Sequence, residues 1–178
     1  MIHLVEPHQD YSETIQNYKD AYFEYNPDTL VNGIPGSAYL VGYDHISEWI
    51  QACYNQKHSN KLAAGRVNAS TFLTIDSDTD EMVGIVNIRH QLNDYLKQVG
   101  GHIGYSVKPD HFRCGIGKAQ LKLALAYCKD DLNLNRVLIT CDDDNQPSAA
   151  TIKSLGGQLE DTVEFEGEMV RRYWITLY

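Results

Sequence analysis

Residues 100–118 read Gly-Gly-His-Ile-Gly-Tyr-Ser-Val-Lys-Pro-Asp-His-Phe-Arg-Cys-Gly-Ile-Gly-Lys. The pattern predicts a short strand, a turn, and a glycine-rich loop that opens a long helix. Such a loop gathers unpaired backbone N–H groups at the positive end of a helix dipole, a place that suits phosphate. Two common phosphate motifs fail here. A dinucleotide fingerprint needs a third glycine, and Gln120 stands where it would fall after Gly115 and Gly117. A P-loop needs Ser or Thr after its lysine, but Ala119 follows Lys118, and the leading glycine is missing. Beside the loop lie residues suited to proton transfer. His102 and His90 have side chains that titrate near neutrality, and Arg89 suits either a bidentate bond to a substrate carboxylate or an ordinary surface ion pair. Cys141 sits in a predicted strand next to Asp142, and a buried strand cysteine is usually inert.

The elements that must position these residues follow from periodicity. Tyr11, Ile15, Tyr18, Tyr22 and Tyr25 recur at helical spacing over residues 10–25, with Asp10 or Ser12 as cap. Residues 26–43 carry glycines and prolines and form a loop, long enough to cover an acceptor site. Asp44 can cap a second helix to about Tyr54, with Ile46, Trp49, Ile50 and Cys53 inward. Residues 71–75 and 82–90 alternate as a hairpin around a polar turn at 76–80. A short helix at 92–98, the strand to Val107, a helix from Gly115 to about Lys129 and a strand at 136–141 come next. A short helix ending at Leu155-Gly156-Gly157 and two strands around Glu166-Gly167 complete the chain. The order is mixed α/β, and a helix joining strand 101–107 to strand 136–141 implies a parallel crossover.

The strand to Val107, Pro109, and the loop Phe112-Arg113-Cys114-Gly115-Ile116-Gly117 resemble motif A of the GNAT superfamily of acyl-CoA N-acyltransferases. Phe112 departs from the usual Gln or Arg, with Arg113 displaced by one. The resemblance continues through strand 136–141, Asn145-Gln146-Pro147-Ser148 and the Leu155-Gly156 helix end. Asn87-Ile88-Arg89-His90, the segment Gly100–Tyr105 and Arg172-Tyr173-Trp174-Ile175 resemble one subgroup of predicted acetyltransferases. Residues 70–178 fit the family core, and 1–69 supply its variable helical N-terminal part, within one domain spanning 1–178. The implied fold is α/β, a mixed and mostly antiparallel central sheet with a splayed parallel strand pair flanked by helices. Acetyl-CoA is the implied co-substrate, without a metal, and it wedges into the splay. The implied cofactor contacts are Val107, Arg113, Cys114, Gly115, Ile116, Gly117, Lys118, Asn145 and Ser148. Asn145 bonds either the pantetheine arm or the start of the last helix. The backbone amide of Val107 stabilises the thioester oxygen.

The implied reaction is direct acetyl transfer to a primary amine of a small molecule, peptide or protein. His102 is the first candidate base, near where some family members carry a carboxylate, and His90 the second. The alternative for His102 is a structural histidine at a sheet edge. Ile152 occupies the slot where many members place a tyrosine that protonates the thiolate, so Tyr173 or Tyr105 must substitute. That gap leaves open a second reading, an acyl-CoA-binding sensor with little turnover.

Composition bounds the rest. The 178 residues carry a net charge of −9, and no basic cluster suggests a nucleic-acid partner. The acidic balance suits solubility or a cationic substrate. The triple Asp142-Asp143-Asp144 is an acidic turn that could attract an ammonium group. No apolar run approaches a membrane span, and residues 1–7 do not resemble a signal peptide, so a cytoplasmic location is expected. Cys53, Cys114, Cys128 and Cys141 lack metal spacing and are expected reduced. The aromatic strand at Tyr173-Trp174-Ile175 offers an edge for a homodimer.

Overall fold

A computed structural model describes residues 1–178, and the strands fall into two antiparallel sheets. The first has the order β1-β2-β3-β4. Its strands are β1 (Ile2–Val5), β2 (Ala69–Asp76), β3 (Met82–Arg89) and β4 (Ile103–Val107). The second has the order β5-β7-β6, with β5 (Arg136–Asp142), β6 (Gln158–Phe165) and β7 (Glu168–Thr176).

β2 and β3 are buried on both faces, and their alternating side chains serve two separate cores. Phe72, Val86 and Ile88 face α5 (Ile116–Asp130) and α6 (Gln146–Ser154). Leu73, Ile75 and Ile85 face α1 (Ser12–Tyr25) and α3 (Ile46–His58). Trp49 of α3 is fully buried and donates its indole N–H to Ser37 O at 2.9 Å, which pins the loop above it. The third glycine position is explained here. Gln120 is fully buried, donates to Ser106 O at 2.9 Å and accepts from Thr74 Oγ1 at 2.7 Å, so α5 is tied to β4 and β2.

The expected element order holds, with differences at the ends. β1 was not anticipated; it extends the hairpin by pairing Ile2–Val5 with Leu73–Asp76. The loop 26–43 contains α2 (Thr29–Asn32) and a 3-10 turn at Leu40–Gly42. Neither Asp10 nor Ser12 caps α1, because a 3-10 turn at Gln9–Tyr11 runs into it, and His8 Nδ1 accepts from Asp10 N instead. Asp44 does not cap α3, which starts after His45 and runs on to His58. The short helix expected at 92–98 is α4 (Asp94–Gln98), capped by Asn93.

β4 and β5, joined through α5, form no ladder and lie in separate sheets, which is the expected splay. One correction concerns the second sheet. The dimer edge at Tyr173-Trp174-Ile175 is not an edge, because β7 lies between β5 and β6. Trp174 is occupied within the chain as well. Its indole donates to Glu160 Oε2 at 2.9 Å, and Arg136 stacks 4.1 Å above its ring.

Candidate active site

The two sheets share one side-chain core, and their backbones are bonded to each other beside the start of β4. His102 N donates to Leu138 O at 2.7 Å, and Leu138 N donates to His102 Nδ1 at 2.9 Å. Gly101, at φ +58°, makes the approach feasible, since a Cβ there would lie 2.4 Å from Leu138 O. From that staple β4 continues beside β3 only. Arg89 N bonds His102 O at one end and Lys108 N bonds Val83 O at the other. Alternation therefore turns the amides of Tyr105 and Val107 away from β3, toward the gap facing β5.

The gap leads to the start of α5. Gly115 precedes that helix at φ +80°, no side chain caps it, and its first turn holds no acidic residue. The first helical hydrogen bond is from Ala119 N to Gly115 O, so the N–H groups of Ile116, Gly117 and Lys118 have no partner in the protein. Arg113, at φ +64°, turns the chain into the loop. Uncapped donors at a helix dipole's positive end, with Arg113 and Lys118 alongside, match a pyrophosphate. Phe112, the departure from the motif, packs edge-to-face on Tyr25 of α1 at 5.4 Å.

Across the gap, Asn145 caps α6 by accepting from Ser148 N at 3.1 Å. That bond is the helix-start role implied for it. Ser148 Oγ lies 3.2 Å from Tyr105 OH. Burial raises the pKa of Tyr105, so its hydroxyl keeps its proton at neutral pH.

The residues nominated for catalysis do not converge. His102 is buried and its Nδ1 is engaged by Leu138 N–H, which leaves the proton on Nε2. Burial, then Arg89, lowers its pKa from 6.5 to about 4. His90 faces the α5 side, where its Nε2 lies 2.8 Å from Ser70 Oγ, itself 2.9 Å from Tyr127 OH. Tyr173 is fully buried, and its hydroxyl has no hydrogen-bond partner. Burial pushes the Cys141 thiol up in pKa, as expected of an inert strand cysteine. Within the acidic turn, Asp143 is held by Arg171 Nε at 2.5 Å.

The low pKa of His102 gives a pH prediction. The unfolded state binds a proton near pH 6.5 and the native state only near 4, so stability is flat above 6.5 and falls as pH drops toward 4. The full loss is about 3 kcal/mol. Urea unfolding from pH 7.5 downward is expected to show a steeper loss for wild type than for His102→Asn.

On the α1 and α3 side of the first sheet lies a cleft of about 460 Å³. The segment 32–39 roofs it, and Asn87 and Arg89 of β3 form its floor. The roof is fixed to β4. Gly36, at φ +72°, packs so closely that a Cβ would lie 2.3 Å from Gly104 O. Ser106 Oγ donates to Pro35 O at 2.7 Å and lies 3.0 Å from Tyr18 OH. Tyr22 OH donates to Val107 O at 2.7 Å. Helical spacing marked Tyr18 and Tyr22 only as a packing face; the hydroxyls they bring to β4 left no signal in the sequence.

The family profile described as acetyltransferase (GNAT) domain matches residues 15–158. The chain belongs to the GNAT acetyltransferase family. Among curated proteins, the uncharacterized N-acetyltransferase p20 of Bacillus licheniformis is 27% identical over 115 residues. That match covers 61% of this chain and 62% of the relative, so it spans about three fifths of either protein. The ribosomal-protein-S5-alanine acetyltransferase of Vibrio fischeri has a similar fold, with a TM-score of 0.68 at 19% identity over 99% of this chain and 92% of that one. Mutant forms of the spermidine/spermine N-acetyltransferase of Vibrio cholerae superpose with a TM-score of 0.63 at 16% identity, over 99% and 95% of the two chains. No helix is long and apolar enough to cross a membrane.

Proposed function

We propose that this protein is an acetyl-CoA-dependent N-acetyltransferase that moves the acetyl group directly from the thioester to a primary amine. One observation carries the reading: β4 and β5 are stapled at His102–Leu138 and part from there toward an uncapped helix N-terminus. The loop from Arg113 through Cys114, Gly115, Ile116 and Gly117 to Lys118 would hold the pyrophosphate. Val107 and Tyr105 would offer backbone N–H groups to the pantetheine arm and the thioester oxygen. Asn145 and Ser148 would line the α6 side. The acceptor amine would arrive through the cleft beneath segment 32–39. Its nitrogen bonds to the acyl carbon, the C–S bond breaks, and the amine gives up a proton to solvent.

His102 is better suited to setting the splay than to acting as base, since its one accepting nitrogen is already bonded. For the thiolate we propose Tyr105, a protonated phenol beside Ser148 at the gap. Tyr105→Phe is expected to lower kcat about tenfold to a hundredfold at unchanged acetyl-CoA affinity. Tyr173→Phe, which deletes an unpaired buried hydroxyl, is expected to keep kcat and to hold or raise the melting temperature. The reverse pattern would transfer the role to Tyr173.

A second reading is a sensor that binds acyl-CoA without turnover. It is favoured by Ile152, which fills the family's tyrosine slot and is fully buried, and by a cleft lined by no carboxylate. Thiol release from acetyl-CoA across a panel of amines separates the two: binding without release supports the sensor.

A further inference from the structure

The charge of the acceptor cleft is opposite to that of the chain. A protein of net charge −9 lines this cleft with Arg66 and Arg89 and with no Asp or Glu. Arg89 is partly buried and takes part in no ion pair. Its guanidinium makes one hydrogen bond, from Nη1 to Gly100 O at 3.0 Å, which leaves most of its five donors free. The other partly buried arginines of the fold are matched: Arg171 with Asp143, and Arg172 in a fork with Asp161 at 2.7 Å on both arms. A sheltered guanidinium without a counter-charge, at the floor of an open cleft, calls for an anion from outside the chain.

Asn87 sits two residues before Arg89 on the same face of β3. It is buried, donates Nδ2 to Thr71 Oγ1 at 3.0 Å, and its carboxamide oxygen has no partner in the protein. It stands opposite Gly104, one residue before the amide of Tyr105, whereas Arg89 stands at the level of His102. Residues two apart on a strand have Cα atoms about 7 Å apart, so one short molecule can touch both side chains. We infer that the acceptor is a short-chain amine that also bears a carboxylate or phosphate, with the anion on Arg89 and the amine at Asn87. This rests on the cleft being the acceptor site of the proposed transferase. It excludes a polyamine, whose second cation would have to face two arginines.

Calorimetric titration with matched probes tests the inference: γ-aminobutyrate against butylamine, O-phosphoethanolamine against ethanolamine, and spermidine. In each pair the anionic member is expected to bind at least about tenfold more tightly, and the two anionic probes report separately on carboxylate and phosphate. Arg89→Gln is expected to erase the preference and Arg89→Lys to keep part of it. Arg66→Gln, on an exposed side chain, is expected to weaken it less. Equal binding within the pairs, tighter binding of spermidine, no binding by any probe, or an unchanged preference in a folded Arg89→Gln would overturn it. Acetyl-CoA binding is titrated separately, so a protein that prefers anionic amines but does not bind acetyl-CoA would refute the transferase reading and leave the charge of the cleft intact.

Discussion

Gly101→Ala is expected to destabilise the protein by about 3 kcal/mol, through two penalties that add. The first is backbone strain: φ is +58° at this position, and an L-residue in the left-handed region costs about 1 kcal/mol. The second is steric. A Cβ would lie 2.4 Å from Leu138 O and 2.9 Å from its carbonyl carbon. Backbone cannot move aside as a flexible side chain would, so relief means parting β4 from β5 at the His102–Leu138 junction. Overpacking of this kind costs about 1–3 kcal/mol. The melting temperature is expected to fall by about 6–12 °C for a chain of this size. Gly65→Ala is the control: φ is +77° and no atom lies within 4 Å of the new Cβ, so it should lose only the strain. Equal losses for the two variants would mean that the junction at residue 138 is not as close as described.

Gly115→Asp is expected to reverse that pattern, sparing the fold and abolishing binding. Gly115 is the residue before the first turn of α5, at φ +80°, with open space where a Cβ would go. An aspartate there suffers about 1 kcal/mol of strain. It gains a comparable amount as a cap and as a negative charge at the positive end of the helix. The folded state should therefore survive, with a melting temperature close to that of wild type. The same carboxylate would sit among the N–H groups of Ile116, Gly117 and Lys118 and repel a second anion. Affinity for acetyl-CoA is expected to fall at least about a hundredfold, since several charge-assisted hydrogen bonds are lost together.

The parts of this architecture legible in sequence were those written in local chemistry. The glycine-rich loop announced a helix opening at Gly115, and α5 begins at the next position. The family resemblance implied that Asn145 bonds the pantetheine arm or the helix start, and its bond from Ser148 N is present. The hairpin of β2 and β3 followed from alternation around a polar turn. What stayed hidden depends on partners far along the chain. His102 meets Leu138 36 residues later, so nothing near it distinguishes a staple from a base. Tyr22 reaches Val107 across 85 residues, and helical spacing reports only the face it occupies. Arg89 was read as a choice between a surface ion pair and a carboxylate site, and its missing partner is visible only in three dimensions. The central place of β7 is likewise topological, because the last strand inserts between β5 and β6. The caps of α1 and α3 differed for a smaller reason: helix starts are set within one or two residues by competing turns.

The gap between β4 and β5, ending at the start of α5, is the proposed acetyl-CoA site. Isothermal titration of acetyl-CoA into wild type and into folded Gly115→Asp measures this directly. One saturable site is expected in wild type, and binding at least about a hundredfold weaker in the variant. Failure of wild type to bind would contradict the claim itself, and equal affinity in the two proteins would contradict the assignment of the loop.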